Sequence, residues 1–123
     1  MENTSGEAVL EFVVGGSTYT LAVREIEQIV EVNKETVYPF LEEQDPLLGM
    51  LNIHGQVVTL VRFPYSEAVK YKKNKITCVV VQLPESKFAF PIEQISHVQR
   101  HSTGQALTVA QLWKQICKEG KAS

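Results

Sequence analysis

Apolar residues recur at every second position in the first part of the chain. Every second residue is apolar from Leu10 to Val14, the turn cluster GGST follows, and the same alternation resumes from Tyr19 to Val23. Period-2 alternation broken by turn residues predicts a β-hairpin with one buried face. Val23, Ile26 and Ile29 are then three apart, which predicts a single helical turn where the chain changes direction.

Three further segments continue this pattern. The segment GMLNIHGQVVTLVRF predicts a second hairpin that reverses between Asn52 and Gly55, and ITCVVVQL, PESK and FAFPI predict a strand, a turn and a strand. The end of the chain, LTVAQLWKQICKEG, predicts a short strand followed by a helix that Gly120 stops. Val30 and Val32 can begin another strand, and the proline-containing stretch NKETVYPFLEEQDP predicts a loop.

The chain contains two copies of one pattern. Shifting the first hairpin by 69 residues matches twenty residues without a gap, with GGST over PESK. The apolar residues Leu10, Phe12, Val14, Tyr19, Leu21, Val23, Ile26 and Ile29 fall on Val79, Val81, Leu83, Phe88, Phe90, Ile92, Ile95 and Val98. A second match, GQVVTLVRF over GQALTVAQL, has an offset of 49, so the second copy is about 20 residues shorter between its two blocks. The literal repeat IEQI is an accident of register.

This duplication predicts an all-β fold of two small subdomains with a C-terminal helix. Each half alone is too small to bury an adequate core, so we expect the two to share one, within a single domain spanning residues 1–123. The predicted halves are 8–66 and 76–119, joined by a lysine-rich connector over 67–75. The chain has neither strand–helix alternation nor a glycine-rich phosphate loop, which argues against a parallel α/β fold.

Composition narrows the function classes. Twelve Lys+Arg against fourteen Asp+Glu give a net charge of −2, so no overall attraction to nucleic acid or to an anionic membrane is expected. The first residues show no secretory signal, and no apolar stretch is long enough to span a membrane, so a cytoplasmic protein is expected. We expect the two cysteines, Cys78 and Cys117, to be buried reduced thiols.

The residue types that carry chemistry are sparse. His97 and His101 are four apart, but they follow a predicted strand and no third ligand has suitable spacing, so no metal site is predicted. Cys117 and His54 show no spacing that supports a nucleophile pair, and the chain holds a single aspartate, Asp45. The sequence therefore predicts no catalytic residues and no cofactor.

The order of these motifs resembles the CheW-like domain, the scaffold module of bacterial chemotaxis arrays. That family has an aromatic-x-Φ-x-Φ segment that runs into a turn, then a proline-containing loop, then Gly-x-x-Asn-Φ-Arg-Gly leading into a valine-rich strand. Here Gly49, Asn52 and Gly55 occupy the last motif, and FAFPIEQISHV is similar to the family's second-half segment. The resemblance covers about Val9 to Gln99 well and the terminal strand and helix more loosely.

The resemblance implies two SH3-like barrels and no catalysis. It also implies two partners, the regulatory domain of a CheA-type histidine kinase and the cytoplasmic tip of a methyl-accepting chemoreceptor. The positions that match the family's turn, its Asn-Φ-Arg-Gly segment and the strand after it suggest a contact surface, which consists of Ile26, Gln28, His54, Gln56 and Arg62.

The chain departs from the family pattern in four places. His54 replaces the family's Arg and Gln28 its Glu, and we hypothesise that a Gln28–His54 hydrogen bond replaces their ion pair. Arg62 replaces an Asp. The second half is clipped between Arg100 and Gly104, so one barrel is expected to leave an open sheet edge, through which a homodimer is possible.

Two alternatives remain open at this point. Small barrels also bind single-stranded nucleic acid, for which KYKKNK with Tyr71 would be the candidate segment, although a solvated connector is expected there. The other alternative is a sensory module that holds a small molecule between its two halves. Trp113 is expected to pack against the barrel rather than to bind a partner.

Overall fold

The computed structural model describes residues 8–38, 47–65, 74–84, 87–99 and 104–121. These form nine strands and one helix: β1 (Val9–Val14), β2 (Ser17–Ala22), β3 (Ile26–Asn33), β4 (Leu47–Ile53), β5 (Gln56–Val61), β6 (Lys75–Gln82), β7 (Lys87–Ile92), β8 (Gln94–Gln99), β9 (Gln105–Leu107) and α1 (Val109–Lys121). Two short 3₁₀ turns, Val23–Glu25 and Lys34–Thr36, flank β3. The predicted all-β fold with a C-terminal helix is confirmed.

The strands form two sheets, and each sheet takes strands from both halves of the chain. Sheet A has the order β8-β1-β2-β9, and sheet B has the order β3-β6-β7-β5-β4. The strand after each hairpin crosses to the other sheet, since β3 pairs with β6 and β8 pairs with β1. The division at 8–66 and 76–119 therefore describes the duplication in the sequence, while in space the two halves exchange strands.

The 69-residue repeat is present in the strand pairing. Leu10 lies opposite Leu21 in sheet A, and their counterparts Val79 and Phe90 lie opposite each other in sheet B. β2 pairs in parallel with β9, as β7 does with β5. The second sequence match is displaced, however, because this pairing makes Leu60 the counterpart of Ala106, an offset of 46 rather than the expected 49.

Sheet B is closed by a short contact between its two edges. Tyr38, which follows the second 3₁₀ turn after β3, exchanges two backbone hydrogen bonds with Met50 of β4, at 2.9 and 2.8 Å. The approach is close at Gly49, where an added Cβ would lie 2.7 Å from the Val37 Cγ1 atom and 2.8 Å from the Tyr38 carbonyl oxygen. Glycine at this position therefore allows the two edges of sheet B to meet and close the sheet into a barrel.

Two cores hold the fold together. The larger core combines side chains from both sheets with those of α1, and the smaller one lies on the opposite face of sheet B. The helix contributes Leu112 and Ile116 to the larger core. Its first amide, on Val109, donates a hydrogen bond of 3.0 Å to the Glu25 carboxylate, which fixes the helix start against the turn before β3.

Several local predictions need correction. Cys78 is buried, but Cys117 is exposed, because the apolar face of α1 is centred on Leu112 and Ile116. The helix continues through Gly120 to Lys121. The strand expected from Val30 begins already at Ile26, after the predicted helical turn. Residues 66–73, which include most of the predicted lysine-rich connector, lie outside the described residues.

Candidate partner-binding site

Four of the five predicted contact residues lie at one end of sheet B. At this end β3, β5 and β7 begin, and β4 and β6 finish, because the register sets Ile26 opposite Val81 and Ile53 opposite Gln56. The four residues brought to this end are Ile26, Gln28, His54 and Gln56. We call it the loop end of sheet B.

Arg62 does not belong to this group. It follows the last residue of β5, so about six residues of extended chain, on the order of 20 Å, separate it from Gln56. Its guanidinium group is half-buried and donates a hydrogen bond of 3.4 Å to the carbonyl oxygen of Phe63. The motif grouped Arg62 with the other four residues because it is close in sequence, but the direction of β5 places it at the opposite end of that strand.

A β-bulge shapes the loop end. Ile26 lies opposite Val81 and Gln28 opposite Val80, so Glu27 is the extra residue in β3. Because residues opposite each other share a face, the bulge turns Ile26 towards the larger core and Gln28 towards the smaller one. Both side chains are half-buried. β8 has a bulge at the counterpart position, Ser96.

The polar link at the loop end differs from the expected one. The Lys87 ammonium group donates to the Glu27 carboxylate and to the Gln56 amide oxygen, each at 2.8 Å. Among the described residues, no hydrogen bond joins Gln28 to His54, so that hypothesis is wrong. The three linked residues, which we call the Lys87 clamp, tie together the starts of β3, β5 and β7.

The clamp combines charge neutralisation with partial burial. The side chains of Lys87 and Glu27 retain only 23% and 29% of their exposure, so solvent screens this pair less than it screens the outer pair of Lys75 and Glu31, each 59% exposed. Sequence reasoning missed Lys87 and Glu27. No sequence pattern marked this pair, because the two residues are 60 positions apart along the chain.

The turn that carries His54 is fixed by its neighbours. His54 and Gly55 both have positive φ, of 51° and 86°, the pattern of a two-residue hairpin turn between Ile53 and Gln56. The Asn52 side-chain oxygen accepts a hydrogen bond of 2.9 Å from the Gly55 amide. The motif residues Asn52 and Gly55 therefore form the turn, and the exposed His54 is presented at its tip.

Exposed apolar side chains adjoin the loop end. Val57, the second residue of β5, is 68% exposed, and Ile29 of β3 is 41% exposed. Trp113 of α1 is 38% exposed while its ring packs against Phe88, with a centroid distance of 5.4 Å. The predicted packing of Trp113 is thus present together with an exposed edge. A neutralised polar clamp beside apolar groups is suited to bind another protein.

The described residues hold no group of three or more His, Cys, Asp or Glu side chains that could bind a metal ion. His101 lies outside the described residues, and the side chain of His97 is not described. Burial raises the pKa of the Cys78 thiol to about 12, which keeps it protonated and unreactive at neutral pH.

None of the helices described here is both long and apolar enough to cross a membrane.

Comparison with known proteins connects this architecture to a family. The scaffolding protein TtCheW from Thermoanaerobacter tengcongensis superposes with a TM-score of 0.65 at 13% sequence identity, over 76% of this chain and 64% of TtCheW. The chain thus matches slightly less than two thirds of that protein. No curated protein matches the sequence. The family model of the CheW-like domain matches residues 8–115, nearly the whole chain, and the chain therefore belongs to the CheW-like domain family.

Proposed function

We propose that this chain is a non-enzymatic scaffold or adaptor of bacterial chemotaxis-type signalling. The observation that carries the proposal is the match of the CheW-like domain model to residues 8–115. Such an adaptor would join the regulatory domain of a CheA-type histidine kinase, the tip of a methyl-accepting chemoreceptor, or both. Partners of this kind would place the protein in the cytoplasm.

The loop end of sheet B is the proposed contact surface. It brings together the half-buried Ile26 and Gln28, the exposed turn at His54, and Gln56 in the Lys87 clamp. Val57 and Ile29 add exposed apolar area, whose burial contributes roughly 25 cal/mol per Å² before the entropy cost of association. Arg62, at the far end of β5, is left out of the proposed surface.

A binding experiment with identified partners tests the proposal. The chain, immobilised, is presented with the purified regulatory domain of a CheA-type kinase and with a chemoreceptor tip fragment, both from the source organism. A pull-down from lysate of the same cells, with mass spectrometry for kinase and receptor peptides, extends the test. Failure to bind either purified fragment, together with the absence of both from the pull-down, would refute the scaffold function.

One variant and one control locate the surface. Val57→Asp introduces a charge at a side chain that is 68% exposed, so the fold should tolerate it while an apolar contact is lost. Leu48→Asp makes the same change at the other end of the same hairpin, where the side chain is 38% exposed. We expect at least tenfold weaker binding, roughly 1.4 kcal/mol, for the first variant only. Equal binding by both variants would remove the loop end from the proposal.

The proposal also includes self-association of the chain through an exposed sheet edge. This part concerns a second copy and needs neither the kinase nor the receptor.

A further inference from the structure

The four edge strands of the two sheets are not equally protected. β3, β4 and β8 each contain a β-bulge in their pairing, and β4 also meets Tyr38. Bulges disturb the row of backbone groups that another strand would need. β9 is paired to β2 in continuous register over all three of its residues, so it is the described edge strand without a bulge.

The repeat indicates what belongs beside β9. Its counterpart β5 lies between a parallel neighbour, β7, and an antiparallel neighbour, β4. β9 has the parallel neighbour, β2, but no described strand lies on its other side. The first copy has 22 residues (34–55) between its third strand and β5, and these include β4, whereas the second has five (100–104). The second copy therefore lacks the length that supplies β4.

The exposed groups of β9 are uncharged. Gln105 and Ala106 are exposed, and Leu107 is buried in the larger core, which anchors the strand. Edge strands are commonly protected by lysine or another charged residue, as the exposed Glu31 protects β3. No charge of β9 itself opposes the approach of a second strand.

We infer that the occupant of this edge is β9 of a second copy of the chain, paired about a twofold axis. A strand that pairs with itself about a twofold axis is always antiparallel to its partner, which is the orientation of β4 beside β5. The two strands of such a pair also match in length, because each is the same three-residue strand that ends just before α1. This inference rests on the proposed self-association and names the strand responsible.

The resulting dimer is weak and depends on concentration. Three residues from each chain exchange only a few hydrogen bonds, and the strand contact alone buries less than the roughly 1,000 Å² of a stable interface. Sedimentation velocity over a concentration series is the appropriate measurement, because it follows association of the intact chain.

Charge variants at one exposed position test the pairing. Ala106→Lys and Ala106→Glu each place like charges close together across the twofold axis, which weakens a cross-strand pair. We expect each variant alone to dimerise about fivefold more weakly than the wild type, and an equimolar mixture to recover wild-type association. Ala106→Thr is the neutral control, and equal melting temperatures confirm that the variants fold.

The outcomes separate the two levels of the inference. A dimer that forms equally well in all four proteins would overturn pairing through β9 while leaving self-association in place. A monomer at every concentration up to about 1 mM would overturn both, without bearing on kinase or receptor binding. Weakening by both charges with recovery in the mixture supports the inferred pairing.

Discussion

The substitution Gly49→Ala tests how sheet B closes into a barrel. The added Cβ would lie 2.7 Å from the Val37 Cγ1 atom and 2.8 Å from the Tyr38 carbonyl oxygen. Both distances are shorter than a Cβ atom normally keeps from a non-bonded carbon or oxygen atom. The valine methyl group belongs to a side chain and can rotate, but the carbonyl oxygen belongs to the backbone. Relief therefore requires Tyr38 and Met50 to move apart, and these residues form the contact between the two edges of sheet B.

The loss of stability follows from three terms. Overpacking costs about 1–3 kcal/mol, and weakening the two Tyr38–Met50 hydrogen bonds costs about 0.5–1.5 kcal/mol each. Replacing glycine reduces the entropy of the unfolded chain, which returns about 0.4–1 kcal/mol. The net destabilisation is about 1–6 kcal/mol with a central value of about 3 kcal/mol, a large share of the roughly 5–15 kcal/mol that stabilises a typical domain.

Gly55→Ala is the matched control. Gly55 has a φ of 86° and nothing within 4 Å of an added Cβ, so alanine there introduces only backbone strain of about 1–2 kcal/mol. Urea unfolding followed by far-UV circular dichroism gives both stabilities, and hydrogen exchange reports the Met50 amide. We expect that amide to lose protection in Gly49→Ala and to keep it in Gly55→Ala. Normal protection with wild-type stability in Gly49→Ala would refute the closure argument.

Four further predictions concern two polar contacts and the two cysteines. Lys87→Met and Glu27→Gln should each destabilise the fold by about 0.5–1 kcal/mol, and their double-mutant cycle should give a coupling of about 0.5 kcal/mol; additive effects would contradict the clamp. Glu25→Ala should cost about 1 kcal/mol by removing the acceptor of the Val109 amide, although the N-terminal cap of α1, Thr108, stays in place, and Glu25→Gln should be less harmful in the same unfolding assay. Iodoacetamide should label native Cys117 but not Cys78. The Cys78 pKa is about 12 in the fold and 9.0 when unfolded, so between these values only the unfolded state loses the thiol proton. The free energy of unfolding should therefore fall by about 1.4 kcal/mol for each unit by which the pH rises from 9.0 to about 12, and Cys78→Ala should lack this slope.

The elements that depend on neighbouring residues were predictable from the sequence. Alternation and turn residues located the hairpins β1–β2, β4–β5 and β6–β7, because a strand with one buried face needs period 2 and a tight turn needs residues that tolerate positive φ. Helix α1 was also predictable from neighbouring residues, because its apolar residues recur at helical spacing.

The exchange of strands between the halves was not predictable from these patterns. β3 and β8 each leave their own hairpin, and nothing within either segment specifies a partner about 40–90 residues away along the chain. The displacement of the second repeat by three residues has a similar origin. The letters GQ match at an offset of 49, but pairing with β2 and β7 fixes the register at 46.

The grouping of four candidate contact residues was predictable from the sequence, but the contacts among their neighbours were not. The family motif marked the loop end of sheet B through Ile26, His54 and Gln56. The motif did not predict the clamp for two reasons. The β-bulge determines that Glu27 is the residue of β3 that pairs with Lys87, and Lys87 itself lies on β7, outside the motif. Arg62 was included because it lies close in sequence, although the extended strand carries it to the opposite end.

The composition of the two sheets explains why the second copy can remain open. In sheet B, the row Val80, Ala89 and Leu60 is buried in the smaller core. The counterpart row in sheet A is Glu11, Thr20 and Ala106, which carries a carboxylate and a hydroxyl where sheet B has aliphatic groups. A closed barrel would bury that carboxylate at a high desolvation cost, whereas an open half-barrel keeps it half-exposed. The missing counterpart of β4 and the loss of the apolar row therefore belong together as differences between the two copies. A chain whose second copy had only one of these two differences would be less stable.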